Sequence, residues 1–107
     1  MINFTSWTYL GTAILAEVAG TTAMKLSAGF THLQPSLLIF CFYGLSLAFL
    51  ALSLKDLEIG LAYAIWSGLG TALIFILGIC FFNEPFTLFK ILSAISIIIG
   101  VVGLKQA

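Results

Sequence analysis

Past its opening residues the chain breaks its apolar pattern at only three places, "SAGFTHLQPS", "KDLE" and "NEP". A bilayer core of about 30 Å takes about 20 helical residues. The intervals between the breaks have that length, and they predict four helices, over 4–25, 35–54, 59–82 and 87–104. Gly29 suits a left-handed exit from the first helix. Pro35 suits the first turn of the second, where a missing N–H costs nothing. Connections of a few residues leave no room for a crossover, so consecutive helices are expected to be antiparallel neighbours. The expected fold class is an all-α integral membrane protein, a single four-helix transmembrane domain over 1–107.

Composition agrees with the pattern. Hydrophobic residues make up 62% of the 107 and charged residues only 7%, against about a quarter charged in soluble domains. The charges are four lysines (Lys25, Lys55, Lys90, Lys105) and four acids (Glu17, Asp56, Glu58, Glu84). They form no basic face for phosphates, which excludes nucleic acid as a partner. Cys41 and Cys80 lie in apolar runs without ligand spacing, and His32 has no second ligand near it, so no metal is expected. Neither a Ser/His/Asp or Cys/His set nor a phosphate loop is present, so no enzyme and no cofactor are expected. The first residues carry no Lys or Arg before the apolar run, so the first helix is read as retained rather than cleaved.

Lys55 and Lys105 fall on the face holding both termini, and Lys25 and Lys90 on the other. The lysine bias that normally orients a membrane protein is therefore balanced. Balance allows insertion both ways, and with it an antiparallel dimer of one sequence.

One carboxylate interrupts the first helix. At about 1.5 Å per residue, Glu17 lies roughly 18 to 20 Å from the helix start, beyond snorkelling reach. Lys25 is at i+8, two turns away, and the other charges stand near helix ends. A carboxylate at that depth costs a few kcal/mol, and the cheap solutions are protonation or a bound cation. The two exclude each other at one site, which is the minimum needed for exchange. Across a paired dimer the two Glu17 side chains would share one cavity. The structural alternative is a Glu hydrogen-bonded to buried hydroxyls such as Thr21 for assembly.

Leu10, Ala13, Ile14, Gly20, Thr21 and Met24 share the helical face of Glu17, and its mostly small residues are read as cavity-lining. Tyr63 and Trp66, at i and i+3 in the third helix, point the same way, and aromatic faces attract organic cations. Tyr43 can join them from the second helix. Trp7 and Phe82 fit an interfacial belt better. Gly68 and Gly70, beside Ser67 and Thr71, mark either a hinge in the third helix or close packing. In the fourth helix Ser93, Ser96, Gly100 and Gly103 form a stripe of small residues, read as the dimer-packing face.

"LAEVAGTTAMKLSAGF", "QPS" and "AYAIWSGLG", together with four spans, resemble the small multidrug resistance transporters along essentially the whole chain. The resemblance implies a proton-coupled antiporter, working as an antiparallel dual-topology homodimer. Such a transporter exports lipophilic and quaternary ammonium cations across the bacterial inner membrane, with protons as the coupling ion. It places the essential acid on Glu17 and the substrate-lining aromatics on Tyr43, Tyr63 and Trp66. The guanidinium-exporting branch carries Trp three residues after the acid, where this chain has Gly20, which favours the drug-exporting branch. Against the usual pattern, Trp7 stands where Tyr is typical and Glu58 where Pro is common. "FFNEPFT" and "GVVGLK" look closer to the guanidinium branch, so a guanidinium exporter is the alternative. A passive proton pore, or a structural subunit of a membrane assembly, is the reading from another class.

Overall fold

The computed structural model describes residues 4–107, so the first three residues of the domain read as 1–107 lie outside it. Four helices account for most of the rest: α1 (Phe4–Leu26), α2 (Leu33–Ser53), α3 (Ile59–Phe81) and α4 (Leu88–Gln106). By length and composition α2, α3 and α4 are each apolar enough to cross a membrane. α1 is as long as α3 but is the least apolar of the four, because it carries Glu17 and Lys25 along with five threonines.

The boundaries have local causes. Pro35 falls at the third position of α2, still within the first turn, where the N–H has no helical partner. Thr87, expected inside the last helix, is its N-cap, and its side chain accepts from the Lys90 N–H at 3.2 Å. The α1–α2 turn is left-handed not only at Gly29 (φ 73°) but also at Ala28 (φ 48°) and Phe30 (φ 68°). Non-glycine residues there cost about 1 kcal/mol or more each. Ser27 offsets this cost: it is buried, its Oγ donates to the Met24 carbonyl and accepts from the Phe30 N–H, and its carbonyl accepts from Thr31 and His32.

Across the molecule the order is α2, α1, α3, α4. α1 packs on α2 and on α3, α3 carries α4, and α2 and α3 barely touch. This corrects the expectation that every consecutive pair would be neighbours, because α1 lies between α2 and α3. The core is the seam of Leu10 and Ile14 with Ala62 and Ile65. Helix termini are tied at one end of the bundle. Ser6 donates to Asp56 Oδ2 at 2.6 Å, and Lys105 Nζ lies 5.2 Å from the Trp7 ring centre. With a thickness of 17 Å against a length of 45 Å, and helices about 10–12 Å across, the chain is little more than one helix layer deep. Its faces are left open to lipid or to a partner.

Candidate membrane-embedded cation site

Glu17 sits midway along α1, half-buried between α2 and α3. Two hydroxyls attend one of its oxygens. Thr21, one turn on, donates to Oε1 at 2.8 Å, and the Tyr43 hydroxyl of α2 reaches the same oxygen at 3.4 Å. The two hydroxyls are themselves 2.6 Å apart, so Tyr43, Thr21 and Oε1 form one short chain. Oε2 is buried and has no hydrogen-bond partner among the described residues. An ionised carboxylate oxygen left bare in this way is costly, and no lysine offers compensation among its partners.

Beside this acid is a cavity of about 340 Å³, lined by Glu17, Thr21, Tyr43, Trp66, Ser67, Gly70, Thr71 and Ile74. That volume lies within the range of small-molecule sites. α3 contributes positions 66, 67, 70, 71 and 74, one face of a helix. Trp66 is held in place by an element the sequence reading missed. Its Nε1–H donates to Ser46 Oγ at 3.0 Å, and Ser46, fully buried on α2, donates to the Ala13 carbonyl of α1 at 2.7 Å. The only signal of this in the sequence was a lone serine amid the apolar run of α2.

The residues expected at the site divide. Glu17, Thr21, Tyr43 and Trp66 come together. Tyr63 does not line the cavity: its ring packs on Trp66 at 5.6 Å and 44°, and it is 57% exposed. Leu10, Ala13 and Ile14, expected along the cavity, are instead buried in the seam with α2 and α3 of this chain. Sharing a helical face with Glu17 was not enough, because the neighbouring helices close over those turns. Met24 is exposed.

Three glycines mark close approach between helices. A methyl group on Gly20 would stand 2.6 Å from Tyr43 Cδ2, so the absent side chain is what lets the tyrosine ring lie against α1. One on Gly70 would stand 2.5 Å from Glu17 Oε2, and one on Gly68 2.5 Å from Val101 of α4. α3 runs unbroken through both glycines, and each serves here as a contact with a neighbour. Ser93, Ser96, Gly100 and Gly103 are exposed along α4, which has no buried residue. A methyl group added at Gly100 or Gly103 would meet nothing within 4 Å among the described residues.

A family model described as Small Multidrug Resistance protein matches residues 5–105. The chain belongs to the small multidrug resistance family. It is 54% identical over 100 residues to the membrane protein YvaE of Bacillus subtilis (94% of this chain, 84% of that protein). To the nicotine metabolites export pump subunit NepA of Paenarthrobacter nicotinovorans it is 41% identical over 101 residues (94% and 87%). To the quaternary ammonium compound-resistance protein QacF of Klebsiella aerogenes it is 37% identical over 100 residues (94% and 91%). Membership in the small multidrug resistance family, with the membrane-spanning helices, makes this a multi-pass membrane protein of a drug-efflux transporter family.

Proposed function

We propose that the chain is a proton-coupled antiporter that exports lipophilic and quaternary ammonium cations across the bacterial inner membrane, with proton and cation competing for Glu17. The observation that carries this reading is the uneven carboxylate: Oε1 has two hydroxyl donors, while Oε2 is buried, bare and next to a cavity. A proton removes the charge, and a cation in the cavity offsets it; either relieves the same cost, so each displaces the other. Tyr43 and Trp66 supply aromatic surface, which holds organic cations with little demand on their shape. Protons are the coupling ion and no other cofactor is required.

The functional unit is an antiparallel, dual-topology homodimer. α4 buries nothing within the chain and presents its small residues outward, and the lysines are balanced between the two ends. In such a dimer the two ends exchange roles on switching, so inward-open and outward-open states have equal energy.

Gly20 supports drugs over guanidinium as substrates. The space that a bulky side chain would need there is filled by the Tyr43 ring, leaving that ring, rather than an indole on α1, beside the acid. Proteoliposomes test the whole reading. A proton gradient drives uptake of a quaternary ammonium ion, whose binding weakens as pH falls; guanidinium is a poorer substrate. Unchanged transport by Glu17→Gln would sink it. Proton flow without any exchanging cation would point to a pore instead.

A further inference from the structure

A second, smaller cavity, of about 180 Å³, lies against the first. Both are lined by Thr21 and Ile74, and Thr21 is the residue that donates to Glu17 Oε1. The second cavity runs from Thr21 along Thr22 to Lys25 on α1 and to Glu84 in the α3–α4 turn. Asn83, left-handed at φ 54°, reverses the chain after α3, and the Glu84 N–H then donates to the Gly78 carbonyl at 3.1 Å. The turn lays the exposed Glu84 carboxylate back over Gly78, in space that a methyl group there would occupy.

We infer that this second cavity is a hydrated proton route to Glu17, separate from the cation cavity, with Glu84 as the proton-exchanging acid at its mouth. The inference rests on the antiport reading above. A water needs about 10–15 Å³ of such volume and two or more polar partners. The cavity has room for several, with two threonine hydroxyls, an ammonium and a carboxylate along it. It is smaller than a site for an organic cation, and Lys25 repels cations at its mouth, so water and protons pass where the substrate does not.

Delivery moves hydrogens only. Glu84 gives a proton to water, the water gives one to Thr21 Oγ1, and Thr21 passes its own hydrogen to Glu17 Oε1. Release runs the same O–H exchanges backwards. The ionisable groups facing the route are Lys25 and Glu84 at its mouth, and Glu17 and Tyr43 behind Thr21; α3 lines it with no titratable side chain.

A route alters rates and not equilibria, which sets the test. The full-length protein in lightly buffered micelles with a pH-indicator dye is mixed rapidly with benzyltrimethylammonium. In acid, binding must expel the Glu17 proton; in alkali none need leave. Glu84→Gln is expected to slow proton release in acid about tenfold. The alkaline binding rate and the equilibrium affinity stay within about twofold of wild type, and Glu84→Asp restores much of the acid rate. Gly78→Ala, which displaces the carboxylate without removing it, slows release in the same arm and serves if Glu84→Gln does not fold. Wild-type rates in both Glu84→Gln and Gly78→Ala, or equal slowing in acid and alkali, would overturn the route. A wild-type protein that binds the cation and releases no proton would instead overturn the antiport reading, and the route with it.

Discussion

α1 and α4 lie at opposite extremes. α1 carries the only carboxylate within a helix of the bundle, is the least apolar helix, and buries six residues against its neighbours; α4 is free of charge between Lys90 and Lys105 and buries none. An acid in a membrane is tolerable only where protein surrounds it, because protein can supply hydroxyls and a shaped cavity where lipid supplies neither. An apolar helix needs no such shelter. It can face lipid, or a second copy, without cost to its own chain. The difference separates a helix whose surroundings shelter a carboxylate from one whose surface is left open to lipid or to a second copy.

The sharpest way to break the contrast is to neutralise the sheltered acid. Glu17→Gln keeps the shape and the helix, yet proton-driven uptake should fall by at least about 100-fold, roughly 3 kcal/mol of coupling, while circular dichroism stays unchanged. A paired serine experiment comes next. Ser46→Ala strands the Trp66 N–H and removes the second donor to the Ala13 carbonyl, and should cost about 2 kcal/mol, read as a lower unfolding midpoint and altered tryptophan fluorescence. Ser96→Ala on α4 removes a hydroxyl that only returns to its own helix at the Leu92 carbonyl, and should change stability by less than about 0.5 kcal/mol.

On the α4 surface, the Cβ of Gly100→Leu meets nothing within 4 Å in its own chain among the described residues. The substitution should leave the helices intact while weakening self-association by about tenfold, measured by energy transfer between labelled copies in vesicles. Tyr43→Phe removes one of the two hydroxyls at Glu17 and should cost about 1 kcal/mol in quaternary-cation affinity. Smallest is Lys105→Ala, which loses the contact with Trp7. About 0.5 kcal/mol is expected, since both groups lie near the end of the bundle.

Most of the fold was legible because the apolar runs are long and their interruptions few. Every helix lies within two residues of its expected boundaries, and the one departure at a start with a clear chemical cause is the Thr87 cap. The site was legible in part. Glu17 stands out in sequence because nothing within its own helix pairs with it, and Trp66 because it lies too deep for an interfacial belt. Ser46 did not stand out: a serine in an apolar helix more often bonds to its own backbone, as Ser93 and Ser96 do. The left-handed turn at Ala28 and Phe30 was also hidden, since those residue types rarely adopt it without a partner such as Ser27.

By itself the sequence determined that there are four long helices, that the least apolar holds an acid it cannot neutralise, and that the lysines are balanced between the two ends. These follow from residue type and spacing along one chain, where depth and charge balance are already set. Only the tertiary structure decided that α1 lies between α2 and α3, that Gly20 and Gly70 mark the approach of Tyr43 and of the Glu17 carboxylate, and that Leu10, Ala13 and Ile14 are core. It alone brought Glu84 to a cavity shared with Thr21. A helical wheel gives the direction of a side chain, but which neighbour stands in that direction depends on contacts between residues distant in the chain.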